Sequence, residues 1–278
     1  MQGVTNEGLY EHIQEAVASL RKRTGALPAV GVVPGTYLSG LANTIQVETT
    51  VSYDEIPHFP HEALRTEDGR LVFGALGGKS VVAMGARLHL YEGYSAAQVA
   101  FPVRLMHALG VKALLTSDTV DSINPSREPG EMVLIDDHIN LQWDNPLIGP
   151  NDERLGPRFP DMSAPYSPRL NELAIKLARE ERIPLHSGVY VAVVGADLVT
   201  GAECRFLQEI GADVVGMSTV PEVIAAVHQG MEVMAISVIT GSYPPDGLEP
   251  ADTRRVEAAA ARAEPSLIRL MTRVIEEL

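Results

Sequence analysis

An α/β fold is what the sequence predicts, on three observations. Short apolar runs of strand length alternate with longer stretches of helical spacing. Apolar residues make up 45% of the 278, enough to bury the core of one large α/β domain or two small ones. No internal repeat or shift in composition interrupts the alternation, so residues 1–278 read as a single unit.

The elements follow in order. Residues 6–23 set Leu9, Ile13, Ala16, Val17 and Leu20 at helical spacing. Residues 29–33 are a continuous apolar run, hence a buried strand, and residues 34–41 are a loop running into a helix. Residues 71–74 and 80–84 form a hairpin around Gly77-Gly78. A helix over 96–109 and a strand over 113–117 come next, then a short strand at 133–135. The stretch 140–168 is rich in Pro, Asn and Asp without periodicity, which in a compact domain marks a functional or interface segment. Helix 169–181, strand 189–194, helix 200–210, strand 213–216, helix 221–229, strand 233–239 and a C-terminal helix from about residue 251 complete the pattern.

Charge and cysteine content exclude several functions. There are 36 acidic and 22 basic residues, a formal charge of −14, whereas a nucleic-acid footprint needs a basic face. The single cysteine, Cys204, rules out an internal disulfide framework and fits a reducing compartment; within a helical stretch it reads as a buried, inert thiol. No run approaches the ~20 apolar residues of a membrane span, and the N-terminus has no basic stretch followed by an apolar one. A cytoplasmic protein is expected. No Walker motif, dinucleotide fingerprint or paired-cysteine zinc site occurs, and His58 and His61 read as surface histidines.

The most informative run is Met84 to Tyr94. Arg87, His89 and Tyr91 alternate there, which in extended chain puts an arginine fork, an imidazole and a phenol on one side, a pattern that fits either an anion beside a sugar or a solvated strand end. Residues 211–222 read as a strand opening at Met217-Ser218 into a helix, a place where hydroxyls and backbone N–H groups meet ligands or simply cap the helix. Pro34-Gly35-Thr36 sets a third hydroxyl on a glycine turn after a strand.

Taken with Ile56–Pro60, Gly69–Gly74, Phe101–Arg104, Asp137–Leu141, Asn145–Leu147, Gly149–Arg154, Arg158–Pro160 and Gly211–Val223, these motifs resemble the trimeric purine nucleoside phosphorylases, the branch preferring 6-oxopurines. The resemblance runs in order through nearly the whole chain. It implies a single three-layer α/β domain, a mixed central sheet with a barrel-like distortion flanked by helices, and a homotrimer. The implied reaction is phosphorolysis of a nucleoside to free base and pentose 1-phosphate, with inorganic phosphate as co-substrate and no metal or organic cofactor. Nucleoside and phosphate are the implied partners, with neither nucleic acid nor membrane.

Residue by residue, the resemblance assigns Thr36, Arg87, His89 and Ser218 to phosphate and Tyr91 and Met217 to the ribose. Phe159 matches the aromatic that reaches a neighbouring subunit's sugar site, and Tyr190 a tyrosine near the base. The base half departs from the family. Its purine-binding glutamate falls on Val199, the adjacent aromatic on Leu198, its asparagine on Gly241 and a phosphate-loop histidine on Glu67. An Asn-Ala-Ala-Gly-Gly segment reads Asp118-Thr119-Val120-Asp121-Ser122, and Tyr37 replaces a glycine.

Losing a carboxylate and an amide from the base pocket removes roughly 1.5–3 kcal/mol each, on the order of a hundredfold or more in rate. Asp118, Asp121 and Asp197 offer replacement partners for an amino-bearing or cationic base, though at least two of them read as solvated loop acids. Two other readings stay open: an inactive homologue that binds phosphate or sugar phosphate or assembles with a partner, and glycosyl transfer or hydrolysis on a non-purine substrate.

Overall fold

The computed structural model describes residues 8–61, 69–243, 250 and 252–278; Glu67 lies outside them. Nine strands form one mixed sheet. The helix α1 (Leu9–Arg21) leads into β1 (Val30–Val33), the short helix α2 (Gly40–Asn43), and the strands β2 (Gln46–Ser52), β3 (Arg70–Leu76) and β4 (Lys79–Met84). Then come α3 (Ala96–Leu109), β5 (Ala113–Ser122), β6 (Met132–Asn140), α4 (Pro168–Glu180) and β7 (His186–Ala192). The chain ends with α5 (Gly201–Glu209), β8 (Val214–Gly216), α6 (Val220–His228), β9 (Glu232–Ser242) and α7 (Thr253–Glu276).

The strand order is β2-β3-β4-β1-β5-β8-β7-β6-β9, and β9 also pairs with β5. Strands β5, β8, β7, β6 and β9 therefore close into a ring, the barrel-like distortion that the resemblance implies. Two apolar layers flank the sheet. One packs α1, α3 and α6 through residues such as Ile13, Val103 and Val223. The other packs α2, α4 and α7 through Leu41, Leu177 and Leu270. Cys204 is buried between α5 and the ring, beside Val191 and Val215, and burial pushes its thiol pKa up, as an inert core thiol requires.

Local chemistry sets the element ends. Helix α3 opens on a capping box in which the Ser95 hydroxyl accepts from Gln98 N–H, and closes at Gly110 in the left-handed region. Several strands differ in extent from the sequence reading, β6 running to Asn140 among them, and three differences bear on the site. Strand β2 lies where none is predicted; it is a largely exposed edge strand, so its sequence carries little apolar signal. Strand β5 runs five residues beyond the predicted Ser117, because β9 and β8 supply partners for its polar end. Thirdly, the chain leaves the sheet after Met84 and turns into a 3-10 helix at Leu90–Glu92, so Arg87, His89 and Tyr91 do not share one side of a strand.

Candidate functional site

Strands β1, β5 and β9 run parallel, and their C-terminal ends open into one cavity of about 880 Å3. This is where an open α/β sheet collects ligand groups. Thr36 and Tyr37 line it after β1, Asp118 to Asp121 along the polar end of β5, and Thr240 to Tyr243 at the end of β9. Met217 and Ser218 enter after β8, His89 and Tyr91 from the loop after β4, and Leu198 and Val199 from the loop before α5. The predicted residues Thr36, His89, Tyr91, Asp118, Thr119, Leu198, Val199, Met217, Ser218 and Gly241 thus meet around a single space.

Arg87, Tyr190 and Phe159 lie elsewhere. Arg87 is buried behind the cavity wall. Its Nε and Nη2 grip Glu222 of α6 at 2.8 and 2.7 Å, and Nη1 donates to the Ser117 carbonyl at 2.8 Å. Nη2 also donates to Thr219 at 2.9 Å and Thr116 at 3.1 Å. Burial alone would lower the guanidinium pKa, but the charges of Glu222 and Asp118 hold it above its ordinary value. The sequence reading does not single out Glu222, which sits 135 positions from Arg87 in what looks like an ordinary first helical turn.

Tyr190, on β7, is fully buried beneath the cavity floor and donates to Asp118 Oδ2 at 2.7 Å. Gly216 makes room for that hydroxyl; a Cβ there would overlap Tyr190 Oη. Phe159 is 86% exposed, in the irregular stretch where Trp143 is 89% exposed.

Asp118 gathers several of these side chains. Its Oδ2 accepts the Ser218 hydroxyl at 2.5 Å in addition to Tyr190, with Thr219 Oγ1 at 3.4 Å. Its Oδ1 stands 3.8 Å from Arg87 Nη1. The turn that presents Ser218 is strained: Thr219, a β-branched residue, has φ 60°. The glycine loop packs against the same aspartate, since a Cβ on Gly35 would sit 2.7 Å from Asp118 Cα. Tyr37 takes φ 63°, keeping a glycine-like turn despite its side chain.

The His89 and Tyr91 rings stack with centroids 4.7 Å apart. The His89 side chain turns to residue 92, accepting from its backbone N–H in a capping box, with Nδ1 3.6 Å from Glu92 Oε2. Burial, then the charges of Glu92 and Asp118, push the Tyr91 hydroxyl up to about 12, so it remains a donor at neutral pH. At the ends of β5 and β9, Asp121 hydrogen-bonds Tyr243, and burial raises its pKa.

The expectation that at least two of Asp118, Asp121 and Asp197 are solvated loop acids is corrected to one. Asp118 and Asp121 belong to β5 and turn into the cavity; Asp197 alone is an exposed loop residue. Among the described residues no cluster of three His, Cys, Asp or Glu could hold a metal ion, and no helix is long and apolar enough to cross a membrane.

Comparison with known proteins agrees with this geometry. Residues 29–276 match the model of the phosphorylase superfamily. Purine nucleoside phosphorylase 1 of Bacillus subtilis is 45% identical over 84% of this chain and 86% of its own length. The mouse purine nucleoside phosphorylase is 41% identical over 98% of this chain and 97% of its own. Isoform 2 of the Schistosoma mansoni enzyme, solved with cytosine and ribose-1-phosphate, superposes with a TM-score of 0.93 at 37% identity, covering 97% of each chain. An S. mansoni structure with adenosine gives 0.91, also at 37% identity, over 96% of this chain and 97% of its own. The chain belongs to the phosphorylase superfamily and, within it, to the purine nucleoside phosphorylase family.

Proposed function

We propose that this chain cleaves the N-glycosidic bond of a nucleoside with inorganic phosphate, releasing the free base and a pentose 1-phosphate. The observation that carries this reading is the convergence of Thr36, His89 and Ser218 beside Tyr91 and Met217 in one cavity. The relatives' names support the reaction class, and ribose-1-phosphate in a similar structure supports the product.

The chemistry needs a cationic, oxocarbenium-like sugar held between a departing base and an attacking anion. Phosphate takes its place between Thr36, His89 and Ser218, drawing the Ser218 hydroxyl away from Asp118. Tyr91 and Met217 hold the sugar. Arg87 acts from behind the wall, orienting Thr219 and Ser117 and contributing positive charge rather than a direct phosphate bond.

The base end is rebuilt. Val199 and Leu198 offer packing and no hydrogen bonds, while Asp121 supplies a carboxyl at the edge. That combination suits a base other than an ordinary 6-oxopurine, one carrying an amino group or positive charge. Phe159 and Trp143, exposed on the stretch 140–168, are the surface through which three copies would assemble, with Phe159 reaching a neighbour's sugar site.

The test is base release from inosine, guanosine, adenosine and nicotinamide riboside in the presence of phosphate, with pentose 1-phosphate followed by phosphorus NMR. Turnover of any one, reduced by Ser218→Ala, is the expected result. Silence across the panel from a folded protein would favour an inactive homologue instead.

A further inference from the structure

Strand β5 carries a carboxyl into a largely apolar part of the cavity wall. Asp121 pairs with Val215 of β8 on one side and with Gly241 of β9 on the other. Val193, Val199 and Tyr243 pack on the small apolar cluster that contains Val215, and all of them line the cavity together with Asp121. Gly241 leaves the carboxyl its room, since a Cβ there would overlap Oδ1. Tyr243 is its hydrogen-bond partner; burial raises the carboxyl pKa, and that bond only partly offsets the rise. Among the described residues no cation acts on it, so a bound base that excludes more water favours the protonated carboxyl further.

A protonated carboxyl is a donor and an acceptor side by side. The two common kinds of purine differ along the edge that carries N7. A 6-aminopurine presents the N7 acceptor beside an amino donor, whereas a 6-oxopurine presents two acceptors, N7 and O6. The carboxyl therefore makes two complementary bonds to the first, its O–H to N7 and the amino N–H to its carbonyl oxygen. Against the second, its carbonyl oxygen faces O6 with no proton between them, and an unmatched buried acceptor costs binding. The phosphate and sugar groups proposed above use Thr36, His89, Tyr91, Met217 and Ser218, which leaves the apolar wall around Asp121 for the planar base.

We propose that Asp121 selects 6-aminopurine nucleosides, its carboxyl O–H donating to N7 of the base and its carbonyl oxygen accepting from the 6-amino group. The base class is opposite to that of the 6-oxopurine branch the sequence resembles. The bond to N7 also serves the reaction. As a phosphate oxygen bonds to the anomeric carbon, the pair from the glycosidic bond moves onto the base, and the charge that N7 gains strengthens the bond it accepts. Asp121 thus sets specificity through contact with the leaving group. This inference rests on the nucleoside reading above and selects the amino-bearing of the two kinds of base named there.

The experiment compares kcat/KM for adenosine, inosine, guanosine and nicotinamide riboside at saturating phosphate, in wild-type protein, Asp121→Leu and Asp121→Asn. Wild-type protein is expected to favour adenosine over inosine by about tenfold or more. Asp121→Leu, which keeps the volume and removes both bonds, should lower that ratio by a similar factor. Asp121→Asn, whose amide pairs with the same N7 and amino edge, should keep adenosine ahead. A residue that only supports the fold would lower every substrate alike and leave the ratio where it was. A wild-type preference for inosine or guanosine, or a ratio unchanged in Asp121→Leu, would overturn the inference and leave the phosphorylase reading standing. So would turnover of nicotinamide riboside alone. No phosphate-dependent release from any of the four by folded wild-type protein would overturn both readings. The wild-type ratio decides the matter even where Asp121→Leu fails to fold.

Discussion

Asp121 on β5 stands directly opposite Gly241 on β9, and its carboxyl occupies the space that a side chain at 241 would need. A Cβ on Gly241 would overlap Asp121 Oδ1. The register there skips Thr240, whose hydroxyl donates to the Val120 carbonyl at 3.2 Å, so the bulge itself brings the pair into line. The strand pair thus trades a side chain at 241 for the carboxyl of Asp121 at this end of the cavity.

That trade predicts a compensating pair. Gly241→Asn alone forces two side chains into one space and should cost about 1–3 kcal/mol. Adding Asp121→Gly should restore stability and raise activity on inosine relative to wild type. Thermal denaturation of the single and double variants, with inosine turnover, checks this; an additive loss would show that the two positions do not share the space.

Asp121 also sets a pH dependence. Its folded pKa lies above its unfolded one because burial disfavours the charge. The folded chain therefore holds the proton where the unfolded chain has lost it, so this contribution is full below about pH 4 and falls as pH rises through the folded value. Asp121→Asn should be more stable than wild type at neutral pH, with the difference vanishing in acid. Denaturant midpoints measured across that range give the slope directly.

The Arg87–Glu222 pair makes the opposite kind of prediction. Both partners are buried, and the fork contacts both carboxylate oxygens. Glu222→Ala removes the carboxylate that the buried fork grips, leaving only Asp118 at 3.8 Å, and should destabilise by about 3–5 kcal/mol, seen as a large drop in the unfolding midpoint. Glu222→Gln, which keeps one acceptor, should lose less.

Much of the fold and many of the residues that line the cavity are legible in the sequence; the pairings that hold the site together are not, for physical reasons visible in these pairs. Helix α3 and the β3–β4 hairpin follow from local signals, a serine cap and a glycine pair. Cavity residues such as Thr36, His89 and Ser218 were accessible because the family motifs carry them. The strand setting of the polar end of β5 is not legible: Asp118, Thr119 and Asp121 are named for the pocket but look like loop residues until β9 and β8 pair with them. Nor does any local pattern tie Asp118 to Ser218, 100 positions away, or Arg87 to Glu222.

His228, at the end of α6, gives an acid-side prediction. It is buried beside Arg104, whose Nη1 lies 3.1 Å from His228 Nδ1. Burial and the Arg104 charge lower its pKa to about 4. As pH falls below about 6.5, the unfolded chain takes up a proton that the folded chain refuses, so stability is lost between there and about pH 4. His228→Gln should flatten that part of the stability profile, as denaturation at neutral pH and in mild acid would register.

The central claim is pentosyl transfer between a base and phosphate in this cavity, and the reverse reaction tests it most directly. Ribose 1-phosphate is supplied with each of a set of free bases, and inorganic phosphate is measured. Base-dependent phosphate release with formation of the matching nucleoside is the predicted result, diminished in Ser218→Ala. Ribose 1-phosphate left intact with every base, by a folded protein, would contradict it.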